Sequence, residues 1–168
     1  HASSWDPVLS GVCLPHNYHL RIMAKEALFH NKALAWLIRK LGAFPVTRGT
    51  ADIQSVKTAM QVIKDGQNLL IFPEGTTIRN GLGYVDGLPP HAHSGIAVIG
   101  VRSGATLVPV FADGPKKPSH KHRIIFGKPY TPVYTGRRGT SEEMQKIADD
   151  ILEEAYALCG QKVGGEPL

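Results

Sequence analysis

Short apolar runs alternate along this chain with stretches whose apolar residues recur at helical spacing, and this alternation most constrains the fold. The run 68–72 (NLLIF) is continuous and short, as in a strand covered on both faces. Residues 52–65 carry Ile53, Val56, Ala59, Met60 and Ile63 at helical spacing, with Asp52 as the expected N-cap and Gly66 just past the end. The same reading predicts strands at 19–24, 43–46, 106–112 and 122–127, and helices at 31–41, 95–103 and 141–158. The last helix opens on the capping-box pattern Thr140-x-x-Glu143. Its stripe is Met144, Ile147, Ala148, Ile151, Leu152, Ala155 and Leu158, and the tail after it is expected to fray. Alternating strands and helices imply an α/β architecture, a mixed, largely parallel sheet layered between helices.

The 168 residues suffice for one domain with its own core, and 42% apolar against 20% charged residues is ordinary for a globular protein. Two cysteines, Cys13 and Cys159, exclude a disulfide scaffold and are expected to be inert. The longest aliphatic stretch, Ile96 to Val101, is far below the length of a membrane span. The chain opens at His1 without an initiator Met and without a signal peptide. It therefore reads as a fragment, with an upstream segment and any membrane anchor expected before it.

Net charge is +5 and unevenly spread. Residues 116–138 hold seven Lys/Arg and no acid, whereas 141–154 hold six acids against Lys146. Such a body attracts nucleic acid, anionic lipid or phosphorylated substrates, or simply presents a solvated basic surface. Aromatics are only 7% and form no stacking pattern, which argues against nucleic acid.

Four short features carry chemistry. His1 and Asp6 are separated by four residues; an imidazole can take a hydroxyl proton while a carboxylate orients the ring. Arg48 follows the apolar block 43–46 and offers a planar fork to a phosphate. Phe72-Pro-Glu-Gly-Thr-Thr-Ile-Arg79 leaves a strand end, where ligands gather in open α/β sheets. Gly75 there lets backbone approach an anion, and Thr76 supplies a hydroxyl. The long Gly/Pro-rich stretch 73–94 argues that this is more than a chain reversal. Finally, Pro109 lies inside the apolar run 106–112, which marks an edge, a bulge or a wall.

Taken in order, these blocks resemble the glycerolipid acyltransferases, specifically the bacterial 1-acylglycerol-3-phosphate acyltransferase family. That family carries H-x4-D, an aromatic-x3-Arg block, F-P-E-G-T-R-S and a V-P-[IV] block. Here they read His1/Asp6, Phe44/Arg48, Phe72–Thr77 and Val108–Val110. Met23-Ala-Lys-Glu26 and the stretch from Leu37 to Phe44 are also similar to the family, and the resemblance runs to about residue 135. It implies a glycerol-3-phosphate acyltransferase-like fold and a specific reaction. His1, held by Asp6, would deprotonate the free hydroxyl of lysophosphatidic acid, which attacks the thioester of acyl-CoA or acyl-carrier protein. No cofactor or metal is implied beyond that co-substrate. Arg48 and the Glu74–Gly75–Thr76 turn would bind the glycerol phosphate. The family's Arg after E-G-T is Thr77 here, and its Lys before the later Gly is His93. Arg79, Lys25 or His93 stand as replacements for those cations. The implied partners are a lysophospholipid acceptor, an acyl donor and an anionic membrane surface, contacted from the cytoplasmic side.

Other classes compete. No G-x-S-x-G elbow and no P-loop occur. His91-Ala-His93 and His120-Lys-His122 would suit a metal, although no Asp or Cys lies nearby in sequence. A non-catalytic anionic-lipid-binding module would also use the basic charge. Leu34, Trp36, Leu37, Ile38 and Leu41 with Lys32, Arg39 and Lys40 resemble an interfacial amphipathic helix, but the expectation is that this stripe packs on the sheet.

Overall fold

The computed structural model describes residues 6–46, 53–75, 91–112, 123–137 and 139–163. In chain order the helices are α1 (Asp6–Cys13), α2 (Lys32–Lys40), α3 (Ile53–Lys64), α4 (Gly95–Ser103) and α5 (Ser141–Ala157). The strands are β1 (Leu20–Lys25), β2 (Ala43–Val46), β3 (Asn68–Leu70), β4 (Val110–Ala112) and β5 (Ile124–Phe126). The described residues fall into two compact units, Pro7–Ile71 and a second made of Asp6 with the residues from Phe72 onward.

In the first unit β1 is the central strand of a three-stranded parallel sheet of order β2-β1-β3. Ile22 pairs with Ala43 on one side and Leu70 on the other. Flanked on both sides, Ile22 is buried, as are Ala43 and Phe44 on β2. Parallel neighbours need a crossover, and here α2 links β1 to β2 while α3 links β2 to β3. α2 starts where the Asn31 side chain accepts hydrogen bonds from the Ala33 and Leu34 N–H groups, each 3.1 Å. It ends before Gly42, whose φ of +84° and close approach to the Leu20 carbonyl oxygen leave no room for a Cβ. That approach lets Ile22 N–H and Arg21 Nε both donate to the Gly42 carbonyl, at 3.2 and 3.0 Å. On α3, Ala59 and Val62 are buried, Val56, Met60 and Ile63 are half-buried, and Ile53 is exposed. The expected N-cap, Asp52, lies outside the described residues.

The second unit is built on α4 and α5. Ala92, Ala97, Val101, Met144, Ile147, Ala148, Ile151, Leu152 and Tyr156 form its buried cluster. The capping box exists as expected. Glu143 N–H donates to Thr140 Oγ1 at 3.2 Å, and Thr140 N–H donates to Glu143 Oε2 at 2.7 Å. β4 and β5 pair antiparallel, Phe111 opposite Ile125. The expected strand 106–112 is interrupted. Leu107 and Tyr130 exchange backbone hydrogen bonds of 2.8 and 2.9 Å, and the ladder resumes only at Val110. Pro109 sits in the gap because it has no N–H to donate, yet its carbonyl accepts from Gly127 N–H at 2.8 Å.

Two features depart from the sequence reading. α1 and the 3-10 turns His16–Tyr18 and Glu26–Phe29 were not expected from periodicity. The α2 stripe does not pack on the sheet as a whole: Ala35 is buried and Ile38 and Leu41 half-buried, but Leu34, Trp36 and Leu37 are exposed. A nine-residue helix against three short strands has only one narrow face to bury, and small Ala35 occupies it.

Candidate functional site

Asp6 opens α1 and is 0% exposed. Burying a carboxylate this deeply costs free energy unless it is paired or hydrogen-bonded. Its expected partner, His1, lies outside the described residues, as do Arg48, Thr76, Thr77 and Arg79.

The centre of the site that is described is the turn after β3. Gly75 N–H donates to the Phe72 carbonyl at 3.1 Å, closing the Pro73–Glu74 bend. Gly75 has a φ of +63°, and a Cβ there would drive into the His93 imidazole. His93 is thus packed directly on the turn, and its own N–H donates to the Pro73 carbonyl at 2.9 Å. The segment carrying His93 is also tied to α5, where Gln145 Nε2 donates to the Ala92 carbonyl at 2.9 Å. Two residues after His93, α4 begins, and its N-cap Ser94 makes no side-chain cap. The turn therefore lies at the amino end of a helix, whose dipole favours an anion, although Ile96 N–H there already donates to the His93 carbonyl at 3.2 Å.

Glu74 is half-buried beside α5. Burial pushes the Tyr156 hydroxyl well above the ordinary tyrosine range, and the Glu74 carboxylate pushes it further. Tyr156 is a neutral wall behind the turn, braced edge-on by Phe111 with ring centroids 6.3 Å apart. Sequence reasoning missed Tyr156. The only available signal was its place one residue after Ala155 on the α5 stripe.

Lys25 belongs to the other unit. It is the exposed last residue of β1, in register with Val46 at the end of β2. All three strands run in parallel, so Lys25 stands at their carboxyl edge beside Val46. The structure thus brings together Glu74, Gly75 and His93, keeps Asp6 in the same unit, and sets Lys25 on the sheet edge.

His91 and His93 are both exposed, and among the described residues no three His, Cys, Asp or Glu side chains group as metal ligands. His120 and His122 lie outside the described residues. No described helix is long and apolar enough to cross a membrane.

Comparison with known proteins agrees with the block order. The Acyltransferase family profile matches residues 1–113, which include all four blocks. A 1-acyl-sn-glycerol-3-phosphate acyltransferase of Bacillus subtilis is 33% identical over 134 residues, covering 76% of this chain and 62% of the relative. One of Streptococcus pneumoniae is 29% identical over 164 residues, covering 94% of this chain and 58% of the relative. A chloroplastic enzyme of the same name from Brassica napus is 25% identical over 99 residues, 58% of this chain and 27% of the relative. The chain thus spans about three-fifths of the length of the bacterial relatives. No solved structure matches it. With its ordered blocks, its parallel βα sheet and a profile covering most of its length, this chain belongs to the Acyltransferase family.

Proposed function

We propose that the protein transfers a fatty acyl group from a thioester donor, acyl-CoA or acyl-carrier protein, to the free hydroxyl of lysophosphatidic acid. The product is phosphatidic acid. The observation that carries this reading is the Glu74–Gly75 turn, packed on His93 at the amino end of α4 and following a parallel strand. It is a helix end whose dipole suits a phosphate, and the turn belongs to one of the sequence blocks that the acyltransferase profile matches. The names of the bacterial relatives support the choice of acceptor.

In the proposed reaction His1 takes the proton of the acceptor hydroxyl while buried Asp6 orients the ring and stabilises the imidazolium. The oxygen attacks the thioester carbonyl, an O–C bond forms and the C–S bond breaks. The proton held on His1 passes to the departing thiolate, so no covalent acyl-enzyme, metal or cofactor is required. Arg48 supplies a bidentate fork for the acceptor phosphate, with Lys25, Thr76 and Arg79 adding donors. Since Thr77 and His93 stand where the family carries cations, another lysophospholipid or glycerol phosphate is the alternative acceptor. The basic chain works at the cytoplasmic face of the membrane, peripherally or through an upstream anchor, and takes no nucleic acid.

The test is acyl transfer by the full-length protein, with a panel of lysolipid acceptors and both donor types. Fastest turnover on lysophosphatidic acid is expected. Faster turnover on a lysolipid with a substituted phosphate moves the acceptor assignment, and absence of transfer to any acceptor overturns the reaction.

A further inference from the structure

α2 faces solvent with the wrong residues for a solvated helix. Trp36 is 61% exposed and Leu37 50% exposed, and Leu28 and Leu34 nearby are exposed as well. At 3.6 residues per turn, Lys32, Trp36 and Lys40 form one row, with Leu37 and Ala35 on either side of it and Ile38 facing the other way. The cations are arranged on the aromatics. Lys40 Nζ lies 4.2 Å from the centroid of the Trp36 ring, and Arg39 Cζ lies 5.4 Å from that of Phe29. Phe29, Lys32, Ala35, Trp36, Arg39 and Lys40 line an open cleft of about 440 Å³. Between residues 19 and 42 the only acid is Glu26, against Arg21, Lys25, Lys32, Arg39 and Lys40.

We propose that this face of α2, with the Glu26–Phe29 turn before it, docks on an anionic lipid surface. Trp36 and Leu37 enter the headgroup boundary and Lys32, Arg39 and Lys40 meet lipid phosphates. An exposed Trp flanked by Leu and by basic residues combines the two attractions such a surface offers, apolar burial and charge. A soluble acidic partner would use the charges but would leave Trp36 and Leu37 without purpose. The turn begins directly after Lys25, so the docking face starts at the carboxyl edge of the parallel sheet. The surface stands on exposure and charge; only its purpose, drawing acceptor from a membrane, rests on the proposed acyl transfer.

The experiment is partition of the chain onto vesicles of phosphatidylcholine with and without phosphatidylglycerol, at low and high salt. Wild type is expected to bind the anionic vesicles and to release in salt. The triple variant Lys32→Ala/Arg39→Ala/Lys40→Ala should bind about a hundredfold more weakly, since each surface cation accounts for about fivefold. Trp36→Ala/Leu37→Ala should bind more weakly to both vesicle types. In a Trp5→Phe background, Trp36 emission should shift to the blue on anionic vesicles and be quenched by brominated acyl chains. Melting curves should show both α2 variants folded, because the altered side chains are exposed. Unchanged partition of the triple variant, or Trp36 emission indifferent to vesicles, overturns the proposal. So does a triple variant that partitions normally and loses turnover only with acyl-carrier protein, which would make the face a protein dock. Turnover on a short-chain, water-soluble lysophosphatidate tests the reaction separately. Vesicle binding through α2 without that turnover leaves the docking face standing and removes the acyltransferase reading.

Discussion

Complete burial of a carboxylate demands a compensating partner, and Asp6 at the head of α1 meets that condition only in a built environment. Under the proposed mechanism, Asp6→Asn keeps the shape and loses ring orientation and imidazolium stabilisation. His1→Ala removes the base itself. Both variants of the full-length protein should fold, as checked by circular dichroism, and should lose about a hundredfold to ten-thousandfold in turnover. Near-normal turnover of His1→Ala would end the mechanism. Gly75 is the second residue whose identity is dictated. Its φ of +63° alone costs any L-residue about 1–2 kcal/mol, and a methyl group would displace His93. Gly75→Ala should therefore raise the acceptor KM and lower the melting temperature together. A variant with only the stability loss would show that the turn does not hold the phosphate. For Arg48 the discriminating quantity is which KM moves. Arg48→Ala should raise KM for the lysolipid far more than for the acyl donor, with Arg48→Lys a partial rescue, because a point charge cannot reproduce the fork. If Arg79→Ala weakens the acceptor and Arg48→Ala does not, Arg79 holds the phosphate.

Among the elements, α5 shows how a local signal becomes tertiary structure. Its capping box was legible as Thr140-x-x-Glu143, and the structure adds a third partner, Thr135 Oγ1, which donates to Glu143 Oε1 at 2.7 Å. That hydrogen bond, followed by the one from Thr140 N–H, holds the Glu143 carboxyl below its ordinary 4.5. A depressed carboxyl stabilises the fold above the unfolded pKa and loses that contribution as pH falls through the folded one. The melting temperature of wild type should thus exceed that of Glu143→Gln at neutral pH, and the gap should close below about pH 4.5. Thr140→Ala should cost about 1 kcal/mol in chemical denaturation at any pH above that range. Where local signals conflict, the structure arbitrates. A Gly and a Pro within eight residues hid α1 from a periodicity reading, though Pro is well tolerated in a first helical turn. Pro109 was legible as a disruption but not as a gap bridged by its own carbonyl.

For the whole molecule, the decisive fact is that stability is a small difference between large terms. The cluster on α4 and α5 is the buried apolar core of the second unit, and Leu152 is 3% exposed within it. Leu152→Ala should cost about 2–5 kcal/mol, a large share of a typical domain's stability, and shift the denaturant midpoint accordingly. The α/β class, the order of the elements from β1 to α5 apart from the short 3-10 turns, and the site blocks were legible in the sequence, because side-chain periodicity and motif spacing are properties of neighbouring residues. The capping box, the short helix at 95–103 and the parallel first sheet belong to that set. Three other facts depended on contacts between distant residues, and spacing carries no record of them. One is the packing of His93 on Gly75, eighteen positions apart, which spacing along the chain does not encode. Another is the antiparallel pairing of β4 with β5, which no single run of apolar residues specifies. The last is the outward turn of Trp36. Helical spacing marked an apolar stripe, but only the limited area of three short strands decided that Ala35 would be buried and Trp36 left to water.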